Sequence, residues 1–306
     1  MADMTQSAPI TARAPDHGAA TVHRRPFRWS TLADHAILIA GAVLMIGPLV
    51  MLLQMSTVPD VEIMQSGPSL AIGDRLGPNL QAALFESMSF SGENTGLRMF
   101  RNSMYLGLGF AIGKIIISMM AAYAIVYFRL RFATFAFWLI FTTLLLPLEV
   151  RIVPSYEITN KLGLLNTWTG LIVPLIASAT ATFFFRQFFL SVPEEMVEAA
   201  RIDGAGPLRF FLDILVPLSR TMIAAMFIIM FVYGWNQYLW PVMVSTQEGM
   251  FTLVQGIKQI TQGLEGGQIP EYGRSNILAV LAVLPPVAVV IFFQRWFVKG
   301  LTDSDK

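Results

Sequence analysis

The sequence predicts an all-α membrane protein with six transmembrane helices. Composition is the first reason: of 306 residues, 55% are hydrophobic and 13% charged, where a soluble domain carries about 25% charged residues. Mean hydropathy is +0.59. The second reason is run length, because several uncharged stretches approach the roughly 20 residues that a bilayer-spanning helix needs. The third is that no stretch alternates over about 10 residues as an outer-membrane barrel strand does. A soluble enzyme, a nucleic-acid binder and a disordered scaffold are thereby excluded. The formal net charge of +1 offers no bulk field to a polyanion. With no cysteine, the chain has no disulfide, thiolate metal site or cysteine nucleophile. Three histidines, His17, His23 and His35, leave little for metal or acid–base chemistry.

Six apolar runs give the candidate spans: 36–55, 104–128, 133–148, 168–185, 221–244 and 277–293. Pro48, Pro147, Pro174, Pro241, Pro285 and Pro286 fall inside them. A membrane bundle tolerates such prolines because neighbouring helices and hydroxyls satisfy the freed carbonyls. With the N-terminus inside, the inner side carries 13 of the 21 basic residues and the outer side 7, Lys114 lying within a span. Both termini are therefore expected in the cytoplasm. Residues 1–30 are rich in Ala, Thr, Pro and Arg and read as a disordered tail, followed by a six-span domain over 31–306. Arg24-Arg25 is read as pinning the first helix to the inner side rather than as a twin-arginine export signal. No A-x-A cleavage site follows the first run, which reads as a retained anchor. Outside, 56–103 and 245–276 are long enough to fold, and 149–166 is expected to form a short interfacial helix.

Gly107-Leu-Gly109-Phe-Ala-Ile-Gly113-Lys114 looks at first like a phosphate loop. Leu108 stands where the first glycine is required, and Ile115 where Ser or Thr would hold magnesium. The better reading is Gly109-xxx-Gly113 as a small-residue face for close helix packing. No other nucleotide motif occurs, so nucleotide-driven work falls to a partner. The carboxylate pairs Glu194-Glu195 and Asp303/Asp305 sit in polar segments and read as solvated or partner-facing. Neither metal nor catalytic residues are assigned.

The longest inner connection, 186–220, contains Ser191-Val-Pro-Glu194-Glu195-Met-Val-Glu198-Ala199-Ala200-Arg-Ile-Asp203-Gly204-Ala205-Gly-Pro207 and, further on, Leu-Val-Pro217-Leu. Ser191 with Glu194 reads as a capping box, and Pro193 suits a first turn. The helix should run to about Ile202 and end at Gly204, where glycine allows a positive φ. Pro207 starts a second helix, with Leu208, Phe211, Leu212 and Leu215 on one face. The product is a helical hairpin whose apolar faces water cannot all satisfy.

That segment resembles the signature loop of ABC-importer permease subunits, matching it at Glu198, Ala199, Ala200, Gly204 and Pro217. Leu162-Gly-Leu-Leu-Asn166, Gly234-Trp-Asn-Gln-Tyr-Leu-Trp-Pro241 and Gln294-Arg-Trp-Phe-Val-Lys-Gly-Leu301 are similar to the second permease of maltose-type carbohydrate importers. Leu146-Pro-Leu-Glu-Val-Arg151 and the terminal Leu301-Thr-Asp-Ser-Asp-Lys306 resemble the variety that imports sn-glycerol 3-phosphate. The resemblance covers about 32–306 and implies a type I importer permease fold in a bacterial inner membrane. It implies a coupling helix that docks into a cleft of a cytoplasmic ATPase, carried here by Glu194, Glu195, Glu198, Ala199, Ala200, Asp203, Gly204, Ala205 and Pro217. It also implies a second related permease, two ATPase subunits that bind the ATP and magnesium, and an extracytoplasmic solute-binding protein, with no cofactor in this chain. Glycerol 3-phosphate is the implied solute, with maltose-like sugars, polyols and glycerophosphodiesters as alternatives. An amphipathic hairpin lying on the membrane is the competing reading of the loop. Its carboxylates make a poor face for anionic lipid. A proton-coupled carrier would want acidic or histidine relays inside its spans, which are missing.

An ionisable residue inside a span marks a functional site by default. Lys114 either lines the solute path and offers its ammonium to a phosphate, or is paired within the bundle, for instance to Glu149, or snorkels. Arg151 has a guanidinium suited to bidentate phosphate contact, or else anchors the interface. Asn236 and Gln237, beside Trp235, either hydrogen-bond a hydroxylated solute or satisfy a broken helix.

Overall fold

The computed structural model describes residues 29–67, 71–87, 94–262 and 271–302. The tail expected over 1–30 lies outside them except for residues 29 and 30, which open the first helix, and so does the Asp303/Asp305 pair. Two units result, 1–47 and 48–306. The helices in chain order are α1 (Trp29–Met55), α2 (Asp60–Ser66), α3 (Leu76–Phe85), α4 (Gly96–Tyr127), α5 (Ala133–Thr142), α6 (Leu148–Lys161), α7 (Trp168–Ile172), α8 (Ala179–Leu190), α9 (Glu194–Ile202), α10 (Pro207–Leu218), α11 (Arg220–Trp235), α12 (Leu239–Val244), α13 (Leu253–Gln262) and α14 (Tyr272–Thr302). No strand occurs among the described residues.

In the first unit, every side chain from Leu32 to Ile46 is exposed although the helix is apolar all round. A helix of that kind belongs in lipid or against a partner, not in water. Leu32–Met55, Gly96–Tyr127 and Tyr272–Gln294 are each long and apolar enough to cross a bilayer alone. Three more crossings are reached if each bent pair counts as one: α5 with α6 at 107°, α7 with α8 at 51°, and α10 with α11 at 75°. Six is the number the sequence predicts, but counted this way the third crossing takes in α6 and the fifth takes in α10, segments that the sequence reading leaves outside the membrane. Three of these helices are longer than expected: α1 starts seven residues before Ala36, α4 starts eight residues before Met104, and α14 extends beyond 277–293 at both ends. The segments 56–103, 149–166 and 245–276 carry helices as expected, α2 and α3 in the first, α6 in the second and α13 in the third.

In the second unit α4 is the central post, packed chiefly against α11 and α8, with α11 also against α14. Its glycines decide how close the neighbours come. A Cβ on Gly109 would lie 2.5 Å from Ile172 Cδ1, and one on Gly113 would run into Ile176. The small-residue face therefore seats the bent α7–α8 pair, as the spacing predicts. Gly107 and Gly234 form a second close approach, where a Cβ on Gly234 would stand 2.8 Å from Phe110 Cβ and 3.1 Å from Gly107 Cα. Around these contacts Ile115, Met119, Phe185, Phe189, Met230 and Phe231 make the main core. A second cluster of Leu106, Phe110, Leu171, Leu175, Trp240 and Val244 lies beside it.

The connections around residues 166 and 245–251 are pinned by polar side chains. Asn102 Nδ2 donates to the carbonyls of Gly249 at 2.9 Å and Phe251 at 3.0 Å. Asn166, at φ +55, accepts at Oδ1 from the Thr246 and Gln247 amides at 2.7 and 3.0 Å. Inside a membrane protein such bonds replace those that water would make.

Candidate functional site

Two regions gather the residues singled out by sequence: the 191–220 hairpin and the break between α7 and α8.

In the hairpin, the capping box does not form. Pro193 is the N-cap of α9 with ψ 139, and Ser191 Oγ donates instead to the Phe188 carbonyl at 2.7 Å. The cause is steric: proline drives the residue before it out of the helical region, so a helix cannot start at Ser191. Glu194 and Glu195 occupy the first turn and Arg201 the last, each on the favourable side of the helix dipole. The C-terminus is as expected. Gly204 has φ +74, its amide donates to the Arg201 carbonyl at 3.0 Å, and the Ala205 amide reaches back to Ala200 at 2.9 Å. These two bonds make a Schellman end.

The second helix corrects the expected face. From Phe210 to Leu215 the turn widens to π geometry, and the Val216 amide donates to Phe211, five residues back. Pro217 has no amide to give the Asp213 carbonyl, and the wider turn accommodates that loss. Register shifts accordingly: Phe210 and Leu215 are buried, while Leu208 and Leu212 are exposed. The hairpin is seated on the end of α4. Tyr123 Oη donates to the Pro207 carbonyl at 2.8 Å, the Tyr123 and Phe211 rings lie 4.9 Å apart, and those of Tyr127 and Phe210 5.4 Å apart. Val197, Ala200, Ala205 and Pro207 line a recess of about 200 Å³ against both tyrosines.

Of the expected coupling residues, Ala200 faces this seat and is buried, and Ala205 is half-buried. Glu194, Glu195, Glu198, Ala199, Asp203 and Gly204 are exposed together. Ile202 at 85% and Leu208 at 70% exposure stand among them as large apolar side chains in the open. Pro217 lies apart, at the far end of α10, half-buried beside Arg220 and Phe227. Sequence reading missed Tyr123 and Tyr127; an i, i+4 aromatic pair closing an apolar run was the available signal.

The second region forms because α7 continues as a tight turn, Val173–Leu175, and the chain then opens before α8 begins at Ala179. The carbonyls at such a break need donors. Lys114 supplies them: it is 4% exposed, and Nζ donates to the Leu175 carbonyl and, at 3.3 Å, to that of Ala177. The ammonium also lies 5.1 Å from the Phe110 ring centroid and 5.2 Å from that of Tyr233. Ser118 Oγ donates to the Ser178 carbonyl at 3.2 Å, and Ser178 Oγ accepts from the Ala181 amide at 3.3 Å. The alternative pairing of Lys114 with Glu149 is absent: no ion pair joins them among the described residues, and Glu149 is exposed in the first turn of α6. Arg151 does join Lys114, lining the same recess of about 480 Å³.

Trp235 and its neighbours sit elsewhere. Trp235 is fully buried, stacked on Phe231 at 5.9 Å and bonded through Nε1 to the Ala282 carbonyl at 2.9 Å. Gln237 Nε2 donates to the Tyr233 carbonyl at 3.2 Å, a bond that serves the broken end of α11, and Asn236 is exposed at the break. None of the three lines the Lys114 recess.

Residues 114–303 match the family described as the binding-protein-dependent transport system inner membrane component. The chain belongs to that family. It is an ABC-importer permease, an inner-membrane component of a transport system, and its relatives agree over nearly the whole length. The sn-glycerol-3-phosphate transport system permease protein UgpE of Brucella melitensis is 45% identical over 93% of this chain and 100% of its own. That of Rhizobium meliloti is 45% identical, and that of Agrobacterium fabrum 46% identical, over the same shares. Among solved structures, a bacterial ABC transporter involved in the import of the acidic polysaccharide alginate shares the fold. Its TM-score is 0.71 at 19% identity, over 89% of this chain and 99% of that one. The type I importer permease fold follows from this match and from the helix order.

Proposed function

We propose that this permease subunit serves an ATP-driven importer of sn-glycerol 3-phosphate in a bacterial inner membrane, with both termini in the cytoplasm. The named activity of the relatives supports the solute. The observation that carries the mechanism is the α9–α10 hairpin, rigidly ended at Gly204 and bearing Ile202 and Leu208 exposed among carboxylates. Exposed apolar side chains on a seated, hydrogen-bonded hairpin fit a socket in another protein. The partner is an ATPase subunit that binds ATP and magnesium, and this chain itself catalyses nothing. Glu194, Glu195, Glu198, Ala199, Asp203 and Gly204 form the docking surface, Ala200 and Ala205 hold it to α4, and Pro217 sets the turn of α10.

Closure of two ATPases on ATP would pull the hairpin. Tyr123 and Tyr127 would pass that displacement to α4, and α4 carries α8 and α11 with it. A second permease would complete the pathway, and a solute-binding protein would deliver at the outer side. Import requires that the solute bind the two orientations unequally. Trp235 and Gln237 act here as structure, and Asn236 and Glu149 are exposed on this chain.

Uptake by the complete transporter reconstituted with its binding protein tests this reading. Import of glycerol 3-phosphate with ATP consumption is expected. Import of maltose with none of glycerol 3-phosphate would move the chain to the sugar carriers.

A further inference from the structure

The recess between α4, α6, α8 and α11 contains two cations and no acid. Lys114 and Arg151 line it together with Ser178, Thr180, Thr182 and Tyr233, and no Asp or Glu is among its lining residues. Lys114 is buried near the middle of α4, 18 residues from Gly96 and 13 from Tyr127, so roughly 27 and 20 Å from the helix ends at about 1.5 Å per residue. An ammonium at that depth is costly unless charge or dipoles offset it. Two backbone carbonyls and two ring faces meet part of that cost, and a second cation, Arg151, on the same recess adds to it. Carbonyl dipoles neutralise no charge, so the recess keeps a net positive field. α8 begins on the same wall, with Thr180 in its first turn, which adds the positive end of a helix dipole.

Volume and chemistry agree on the occupant. About 480 Å³ is enough for a small phosphomonoester. Arg151 offers a fork that matches phosphate bidentately, Lys114 a point charge, and Thr180 a hydroxyl donor. We propose that this recess is the phosphate subsite of the translocation pathway, so that this subunit grips the anionic end of the solute and the partner permease is left the glycerol end. The inference rests on the glycerol 3-phosphate reading for its ligand, and on the geometry alone for its preference for anions. Lys114 then has two sets of acceptors, the break carbonyls when the site is empty and the phosphate when it is filled, which ties occupancy to the shape of the α7–α8 bend.

The chain has no cysteine, so Thr180→Cys gives it one reactive thiol, on the recess wall. In the assembled transporter, a negatively charged methanethiosulfonate should label that thiol about ten-fold faster than a positively charged one, each rate taken relative to a free thiol. Arg151→Gln should bring the ratio most of the way to one, and Arg151→Lys should restore most of it. Arg151 carries this test because Lys114→Met would also remove a donor from the α7–α8 break. Glycerol 3-phosphate should slow labelling, and glycerol should not. Equal rates for the two reagents, or a ratio indifferent to Arg151→Gln, would overturn the subsite. A wild-type complex that imports no glycerol 3-phosphate would remove the solute assignment instead, and the charge preference in labelling would still decide whether the recess selects anions.

Discussion

The hydroxyl of Tyr123 and the carbonyl of Pro207, 2.8 Å apart, join the membrane-spanning post to the first residue of the second hairpin helix. Removing the hydroxyl takes one donor from that carbonyl, which keeps the Phe210 amide, a loss of about 1 kcal/mol. Tyr123→Phe should keep the ring contact with Phe211 and the complex intact, yet lower the ATPase stimulation by loaded binding protein a few-fold. Measuring that stimulation on the purified complex checks it; a wild-type response would mean that this bond transmits nothing.

Gly204 and Gly206 separate backbone conformation from space. Neither would meet an atom within 4 Å if given a Cβ, but Gly204 has φ +74 and Gly206 φ −68. Gly204→Ala should therefore cost about 1–2 kcal/mol of hairpin order. Gly206→Ala should cost a few tenths, as at an ordinary N-cap. Solute uptake should fall strongly in the first variant and little in the second, and equal uptake would show that the Schellman end is dispensable.

Close packing makes a parallel contrast inside the bundle. Gly234→Ala forces its Cβ against Phe110 Cβ and the Gly107 backbone, whereas Gly41→Ala meets nothing within 4 Å. Overpacking of this kind costs about 1–3 kcal/mol. Thermal unfolding of the purified chain in detergent should show a lowered midpoint for Gly234→Ala alone.

Asn102 holds two carbonyls of the 249–251 turn from inside α4. Asn102→Ala strands the Phe251 carbonyl, at about 1–3 kcal/mol for a buried group left unpaired, while the Gly249 carbonyl keeps Arg98 Nε at 3.1 Å. Hydrogen exchange over 248–253 should quicken while exchange in α8 stays unchanged. Protection equal to wild type would place the anchoring of that turn elsewhere.

How far the sequence could be read depended on whether a feature was local. The turn at Gly204 and the end of α9 at Ile202 follow from residues a few positions apart, and both are where the sequence predicts. The Gly109-xxx-Gly113 face was legible for the same reason. The broken spans were not. Pro48, Pro285 and Pro286 sit inside continuous helices, while Pro147 caps a new helix and Pro174 lies in a tight turn at a break. Proline alone cannot say which will happen, because a break is stabilised by a donor from elsewhere, as Lys114 does for Leu175 and Ala177. Ser191 misled through its spacing to Glu194, which ignored what Pro193 does to its neighbour. The face of α10 was misassigned because a 3.6-residue period was applied to a segment that Pro217 widens. At the recess, Lys114 and Arg151 were visible as isolated charges; that they share one wall depends on the 107° bend between α5 and α6.

The central claim is that the hairpin tip enters a groove of an ATPase. A photo-crosslinking side chain at Ile202, the most exposed large apolar residue of the tip, tests it in the assembled transporter. The account predicts adducts with the ATPase subunit that form in quantity and diminish when Gly204 is replaced by Ala. Adducts with lipid alone, or with no other protein of the complex, would contradict it.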